Sequence, residues 1–240
     1  MKVVNDLLNY NNLKIVQNPD WFSFSIDSVL LANFVKVNNK MKIVDFCTGN
    51  APIPLFLSTR TKSKIIGIEL QKEVYDMAIE SVDINNLNDR IEIINENIKD
   101  FCKNSETDIY DLITCNPPYF KIGNDSNVNL NDIKAIARHE IHLNLDDLFK
   151  SARKILKNHG KIAIVHRADR LIDIIIKMKE NNIEPKRLQF IYPFKGSNSN
   201  LVLVEGSKNG NVGLVLEPNI IVHDNTGNYT EEINKIFNGG

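Results

Sequence analysis

Strand-like and helix-like segments alternate along most of the chain, and this alternation restricts the fold more than any other feature. Short apolar runs predict strands at 41–46, 63–70, 90–95, 110–115 and 160–167. The stretches between and after them have helical apolar spacing and predict helices at 52–60, 72–86, 97–103, 145–157 and 168–182. Strands separated by helices form a mostly parallel sheet that is covered on both faces. The sequence therefore predicts a doubly wound α/β fold.

Two later strand-like runs, 187–194 and 200–208, are separated by only a Gly/Ser/Asn turn. This spacing predicts an antiparallel hairpin at one edge of the sheet and brings the expected number of strands to seven. No repeat, low-complexity tract or linker divides the 240 residues. We therefore expect one domain over 1–240, with a core at 41–208, an N-terminal extension at 1–40 and a C-terminal extension at 209–240.

Composition argues against a secreted protein, a structural metal site and a membrane-spanning segment. The three cysteines, Cys47, Cys102 and Cys115, are far apart, no apolar leader precedes them, and the five histidines form no HxxxH pair. These patterns argue against a disulfide framework and a structural metal site. No apolar run has the length needed to cross a bilayer. We expect a cytoplasmic protein without metal, disulfides or a membrane partner.

Charge is unevenly distributed, although the formal net charge is −1. Residues 150–208 contain 13 Lys/Arg against 5 Asp/Glu, an excess of +8, whereas residues 1–134 contain 14 against 18, an excess of −4. A basic half on a neutral protein indicates a face that binds a polyanion. The alternative is an ordinary solvated face rich in lysine.

Polar groups follow three predicted strands where each strand ends. Asp45 lies at the first, in the small-residue turn VDFCTGNAP at 44–52; Glu69 ends the second; Asn97 to Asp100 follow the third. Carboxyl ends of parallel strands share one edge of a sheet, where turn N–H groups and carboxylates can bind a ligand. Each feature also has an ordinary alternative, namely a connecting turn, an acid near a helix dipole, or a helix cap.

The fourth strand ends in Asn116-Pro117-Pro118-Tyr119. Two prolines cannot continue a strand, since both lack an N–H and fix φ, but they make a rigid turn. In such a turn the Asn116 side-chain oxygen and the Pro117 carbonyl are preoriented acceptors, and the Tyr119 ring can stack on a planar group. A purely structural turn is the alternative.

Together these positions resemble the class I S-adenosylmethionine-dependent methyltransferases, and the tetrapeptide resembles their amino-methylating branch. The resemblance implies a Rossmann-like fold, S-adenosylmethionine as cofactor, and a catalytic set of Asn116, Pro117, Pro118 and Tyr119. It also implies cofactor contacts from the strand-end positions, namely Asp45, Cys47, Thr48, Gly49, Asn50, Glu69, Leu70, Asn97, Ile98, Asp100 and Asn116. Cys47 and Ala51 occupy places where the family's loop carries glycine, which puts the loop geometry in question.

Two methyl acceptors and one non-catalytic function remain open. The stretch FSFSIDSVLLANFV at 22–35, with Phe22 and Phe24 on a strand and Asp27 as a predicted N-cap, resembles the cofactor-covering segment of tRNA adenine N6-methyltransferases. The stretch 136–171 resembles the bacterial branch that methylates adenine 37 of a valine tRNA, beside the anticodon. The alternatives are a release-factor glutamine N5-methyltransferase and a protein that binds the cofactor or RNA without catalysis. Oligomeric state cannot be predicted.

If the substrate is tRNA, basic side chains that repeat along helix 145–157 and flank the later strands are expected to follow its backbone. Ordinary surface ion pairing is the alternative. The predicted substrate or RNA contacts are Phe120, Arg138, His139, Lys150, Arg153, Lys154, Lys157, Arg167, Arg170, Lys186 and Arg187.

Overall fold

A computed structural model describes residues 2–8, 12–18, 25–117 and 143–238. Within those residues, a mixed sheet contains nine strands: β3 (Ile43–Phe46), β4 (Ile65–Glu69), β5 (Ile91–Asn95), β6 (Tyr110–Cys115), β7 (Leu156–Arg167), β8 (Ile183–Phe194), β9 (Leu201–Lys208), β10 (Val215–Leu216) and β11 (Ile220–His223). A separate antiparallel hairpin pairs β1 (Val3–Asp6) with β2 (Lys14–Gln17).

The strand order is β10-β8-β9-β7-β6-β3-β4-β5, and β11 also pairs with β8. Among these strands only β9 runs antiparallel to its neighbours, so the carboxyl ends of the others lie at one edge. After β3 the chain builds β4 and β5 on one side and then crosses to β6 and β7 on the other. This switch point between β3 and β6 is where doubly wound sheets bind ligands.

Helices cover both faces of the sheet. One face carries α1 (Ile26–Phe34), α2 (Pro52–Ser58), α3 (Lys72–Ile84) and α7 (Glu231–Phe237); the other carries α4 (Ile98–Asn104), α5 (Leu145–Ile155) and α6 (Leu171–Glu180). The 3₁₀ turn Ala168–Arg170 precedes α6. Two separate apolar clusters fill the layers above and below the sheet, as the burial of strands such as β3 on both sides requires.

Helix α5 shows how local sequence sets an element that positions the site. The Asn144 side chain caps the helix by accepting a hydrogen bond from Asp147 N at 2.9 Å. Acids occupy the first turn and bases the last, so the side-chain charges oppose the helix dipole. Leu148, Phe149 and Ala152 are buried against the sheet. The helix therefore begins at the carboxyl edge and runs towards the opposite edge.

The predicted mostly parallel sheet and the antiparallel β8–β9 hairpin are confirmed. Beyond β8, however, lie the unpredicted short strands β10 and β11, so β8 is not the outermost strand. The predicted N-cap at Asp27 is wrong, because α1 starts at Ile26 with Ser25 as its cap. Asp27 lies in the first turn, where its carboxylate interacts favourably with the positive end of the helix dipole. The predicted strand at Phe22 and Phe24 lies outside the described residues.

Candidate functional site

Four strand ends bring the predicted polar groups together at the carboxyl edge, defined here by the last residues of β3, β4, β5 and β6. Asp45 pairs in register with Gly67 of β4 and with Thr114 of β6. Glu69 pairs with Asn95 of β5. Parallel pairing therefore places both carboxylates and the Asn116 turn around the switch point.

Asp45 is a fully buried carboxylate that holds two elements together. Its Oδ1 accepts a hydrogen bond from Thr114 Oγ1 at 2.6 Å, and its Oδ2 accepts one from Thr48 Oγ1 at 2.7 Å. Burial raises the pKa of Asp45 to about 7, and the charge of Glu69 adds to this, while the two threonine hydrogen bonds oppose it. Asp45 thus links β3 and β6 to the turn that follows β3.

Three residues of that turn have left-handed backbone conformations, and two of them, Cys47 and Ala51, stand where glycine was expected. The φ angles are 54° at Cys47, 60° at Gly49 and 70° at Ala51. Left-handed conformations cost non-glycine residues about 1–2 kcal/mol each, so the surrounding fold must hold Cys47 and Ala51 in place. Thr48 N donates to Ile68 O at 2.9 Å, which anchors the turn on β4.

Gly67 is required by the close approach of this turn to β4. A Cβ at Gly67 would lie 2.8 Å from Thr48 Oγ1 and 2.9 Å from Ile93 Cδ1. Sequence reasoning did not single out Gly67, and its position within a predicted strand was the available signal, since strand glycines often mark close approach.

Glu69 fixes both the turn and the start of α3. Its Oε2 accepts from Gly49 N at 3.0 Å, and its Oε1 accepts from Gln71 N at 2.8 Å. Burial raises the pKa of Glu69. The backbone of Leu70 is a third hydrogen-bond partner, which leaves about one of the carboxylate's four acceptor positions for a ligand hydroxyl. Asn95, which the sequence analysis missed, supports this end of β4 by donating to Glu69 O at 2.9 Å and Leu70 O at 3.0 Å.

Asn50 supplies an independent sign that this turn is built for a ligand. Its side chain is fully buried, and Nδ2 donates to Val16 O of β2 at 2.7 Å. Its Oδ1 has no hydrogen-bond partner in the part of the chain that the structure describes. A buried acceptor without a partner costs about 1–3 kcal/mol, which a ligand N–H donor would recover. The residues present therefore fit a cationic nucleoside-type ligand with ammonium and ribose hydroxyl donors.

The residues after β5 are less specific. Asn97 caps α4, because its side chain accepts from Lys99 N at 2.8 Å, which is the ordinary alternative named above. Ile98 is buried, Asp100 is exposed in the first turn of α4, and Leu70 is 41 % exposed. They lie at the carboxyl edge, and their contact with a cofactor stays a prediction.

The Asn116 turn faces two sides of the sheet. Asn116 Nδ2 donates to Ser28 Oγ of α1 at 3.1 Å. Pro117 is buried on the other side, where it lines a cavity of about 200 Å³. Its other lining residues in the described ranges come from the start of α5 and the end of β7, namely Leu143, Asn144, Leu145, Leu148, His166 and Arg170. Pro118, Tyr119, Phe120, Arg138 and His139 lie outside the described residues.

His166 gives the cavity a neutral polar wall. The side chain is buried, and burial lowers the pKa of His166 to about 4, with the nearby Arg170 charge acting in the same direction. The imidazole is therefore uncharged near neutral pH. The cavity wall therefore combines a neutral imidazole, which can face the edge of a heteroaromatic ring, with the cationic Arg170.

The structure does not bring the predicted basic residues into one face. Arg167 and Arg170 lie at the carboxyl edge, where they pair with Asp169 and Asp173. Lys150, Lys154 and Lys157 lie along α5 and towards the opposite edge. Lys150 pairs with Asp146 and Lys157 pairs with Asp111. Lys154 donates to the carbonyls of Cys102 and Lys103. Lys186 donates to Asn211 O, and Arg187 pairs with Glu205 and Glu217. Arg153 is half-buried.

The described ranges contain neither a metal-binding cluster nor a membrane-spanning helix. No group of three or more His, Cys, Asp or Glu side chains is arranged to hold a metal ion. No helix in that part of the chain combines the length and apolar character needed to cross a bilayer.

Comparison with known proteins shows the family. Residues 12–184 match the family described as methyltransferase small domain. A tRNA1(Val) (adenine(37)-N6)-methyltransferase of Parabacteroides distasonis is 29% identical over 182 residues, which cover 75% of this chain and 74% of that protein. The enzyme of the same description from Tolumonas auensis is 33% identical over 142 residues, covering 58% of this chain and 56% of its own length.

Solved structures agree with this fold. A predicted O-methyltransferase from Agrobacterium tumefaciens matches with a TM-score of 0.71 at 19% identity, covering 89% of this chain and 96% of that one. Geranyl diphosphate C-methyltransferase from Streptomyces coelicolor, in complex with S-adenosyl-L-homocysteine, matches with a TM-score of 0.56 at 12% identity. The match covers 76% of this chain and 78% of that one. The chain therefore belongs to the methyltransferase small domain family, with the class I fold, and S-adenosylmethionine is its methyl donor.

Proposed function

We propose that this methyltransferase acts on the N6 amine of adenine in tRNA, at adenine 37 of tRNA1(Val). The observation that carries the proposal is the position of Asn116 and Pro117, at the end of β6 and beside a cavity of about 200 Å³ with a neutral histidine wall. A neutral planar base with an exocyclic amine can place that amine against these two acceptors. The similarity to tRNA1(Val) enzymes supports the same substrate.

Asp45, Glu69 and the turn at Cys47–Asn50 would hold the donor, with Asn50 Oδ1 available to an ammonium group. When bound, S-adenosylmethionine supplies an electrophilic methyl group on a sulfonium. The two buried carboxylates, whose pKa values are raised by burial, favour a cationic ligand because its charge offsets the cost of ionising them.

Asn116 and Pro117 act on the acceptor amine. The lone pair of an adenine amine is delocalised into the ring, so the nitrogen is a weak nucleophile until its hydrogens are held out of the ring plane. The Asn116 Oδ1 and the Pro117 carbonyl can accept those two N–H bonds, and proline rigidity keeps both acceptors oriented before substrate arrives. The amine becomes cationic as it reacts and then releases a proton to water, so no strong base is required.

The experiment uses purified protein, labelled donor, and either total tRNA from a strain lacking the gene or unmodified release factor. Wild type should produce N6-methyladenosine in tRNA, and Asn116→Ala should lower the single-turnover rate by at least about 100-fold, as loss of a positioned acceptor does. Donor affinity, measured by calorimetry, should fall far less than the rate in that variant, because most of the expected donor contacts come from other residues. Label in release-factor glutamine but not in tRNA would refute the substrate; donor binding without either product would indicate a non-catalytic protein.

A further inference from the structure

Ser28 makes a contact with the catalytic turn that the sequence did not predict. Its Oγ lies 3.1 Å from Asn116 Nδ2, across 88 positions of the chain. Ser28 is 4% exposed and belongs to the first turns of α1, where Val29, Leu30 and Leu31 are buried in the core. The hydroxyl is thus presented by a packed helix and not by a loop.

The orientation of the Asn116 amide matters for an amine acceptor. Its two ends have opposite hydrogen-bonding character, because the oxygen only accepts and the NH2 only donates. Rotation of the amide by half a turn would direct NH2 groups of enzyme and substrate at each other. An acceptor that holds the NH2 end therefore keeps the oxygen end pointing away from that acceptor, within the amide plane.

The helix that carries Ser28 is itself held at its far end. Arg187 donates to Phe34 O at 3.1 Å, and its guanidinium lies 4.3 Å from the centroid of the Phe34 ring. Arg60 Nη2 donates to Val35 O at 3.0 Å. Charge-assisted hydrogen bonds to the last carbonyls of a helix fix its position along its axis. Arg187, which the sequence analysis placed against RNA, therefore has a structural role in holding α1.

We propose that Ser28 is a positioning residue for methyl transfer: by accepting from Asn116 Nδ2, it holds the amide with its oxygen directed at the acceptor amine. The inference rests on the proposed function, because it assigns Asn116 to that amine. It adds an element outside the strand ends, since the orientation of the catalytic amide then depends on α1.

The test is a double-mutant cycle on single-turnover methylation with saturating donor. Ser28→Ala should lower the rate roughly tenfold, which corresponds to one lost hydrogen bond, without changing donor affinity. In the Asn116→Ala background the same substitution should have no further effect, because the amide it orients is gone. Ser28→Thr keeps the hydroxyl and should restore most of the rate.

Ser58→Ala is the matched control. Ser58 is also buried on a helix and makes one side-chain hydrogen bond, to Leu55 O at 2.7 Å, without touching the site. The Ser58→Ala variant should have a lower free energy of unfolding and an unchanged single-turnover methylation rate. The positioning role would be overturned if Ser28→Ala methylated as fast as Ser58→Ala. It would also be overturned if Ser28→Ala lowered the rate by the same factor in wild type and in the Asn116→Ala background. If the wild-type protein instead methylates release-factor glutamine, the proposed substrate is wrong. The double-mutant cycle can then be measured with release factor as substrate, and it still tests the role of Ser28. Wild type without activity on either substrate would overturn both.

Discussion

Replacing Asp45 with asparagine tests whether one buried carboxylate sets the pH dependence of stability in the unliganded protein. Burial raises the pKa of Asp45 from 3.8 to about 7. Between those values the folded protein keeps a proton that the unfolded chain releases, so the free energy of unfolding falls as the pH rises. The slope is at most about 1.4 kcal/mol per pH unit for one proton and flattens near the folded-state pKa, so the loss from pH 5 to pH 7 is about 2.3 kcal/mol. Below the unfolded-state pKa both states are protonated and no stability is lost. Above the folded-state pKa both states are ionised and the loss of stability is complete.

Asparagine has the same shape and cannot ionise, and the hydroxyls of Thr48 and Thr114 can each donate or accept. The Asp45→Asn variant should therefore lose less stability than wild type on going from pH 5 to pH 7, by about 2–3 kcal/mol. Urea unfolding at constant ionic strength measures this difference. Asp83→Asn removes an exposed carboxylate on α3 and controls for net charge. Parallel pH profiles for wild type and Asp45→Asn would refute the assignment of the raised pKa to Asp45.

Two more predictions test the turn and the charged surface. Gly67→Ala should destabilise the protein by about 1–3 kcal/mol and weaken donor binding measured by calorimetry, because the new methyl group meets Thr48 and Ile93; unchanged donor affinity would contradict the close packing. Arg167→Gln should reduce the slope of log affinity for tRNA against log salt by about one, whereas Lys157→Gln, far from the carboxyl edge, should leave the slope unchanged; equal slopes in the two variants would contradict binding at that edge.

Sequence reasoning succeeded where periodicity decides position. Alternating strands and helices force Asp45, Glu69 and Asn116 to the same edge, since every parallel strand must end there. It failed where the contact depends on packing between distant segments. Nothing in the sequence near Ser28 indicates a hydrogen bond to Asn116, and strands as short as β10 carry too few residues for a recognisable period.

The basic half of the chain shows a different limit, because a charge count over a window ignores partners outside it. At least nine of the 13 bases in 150–208 form ion pairs, and several partners, including Asp108, Asp111, Asp146 and Glu217, lie outside that window. The i,i+4 spacing of Asp146 and Lys150 is a sequence signal for one such pair, and the sequence analysis did not use it. The excess of +8 therefore overstates the charge available to RNA.

The remaining question is where a polyanion can approach Asn116. The pairs of Arg167 with Asp169 and of Arg170 with Asp173 join neighbours on the 3₁₀ turn and α6, and one partner in each is well exposed. Exposed pairs contribute about 0–1 kcal/mol, so a phosphate can replace the aspartate at small cost. Arg187 is different, because it holds α1 and contacts the buried Glu205. Neutralising Arg187 should therefore disturb Asn116 through α1, which lowers the methylation rate, whereas neutralising Arg167 should change tRNA affinity and leave the rate at saturating tRNA intact.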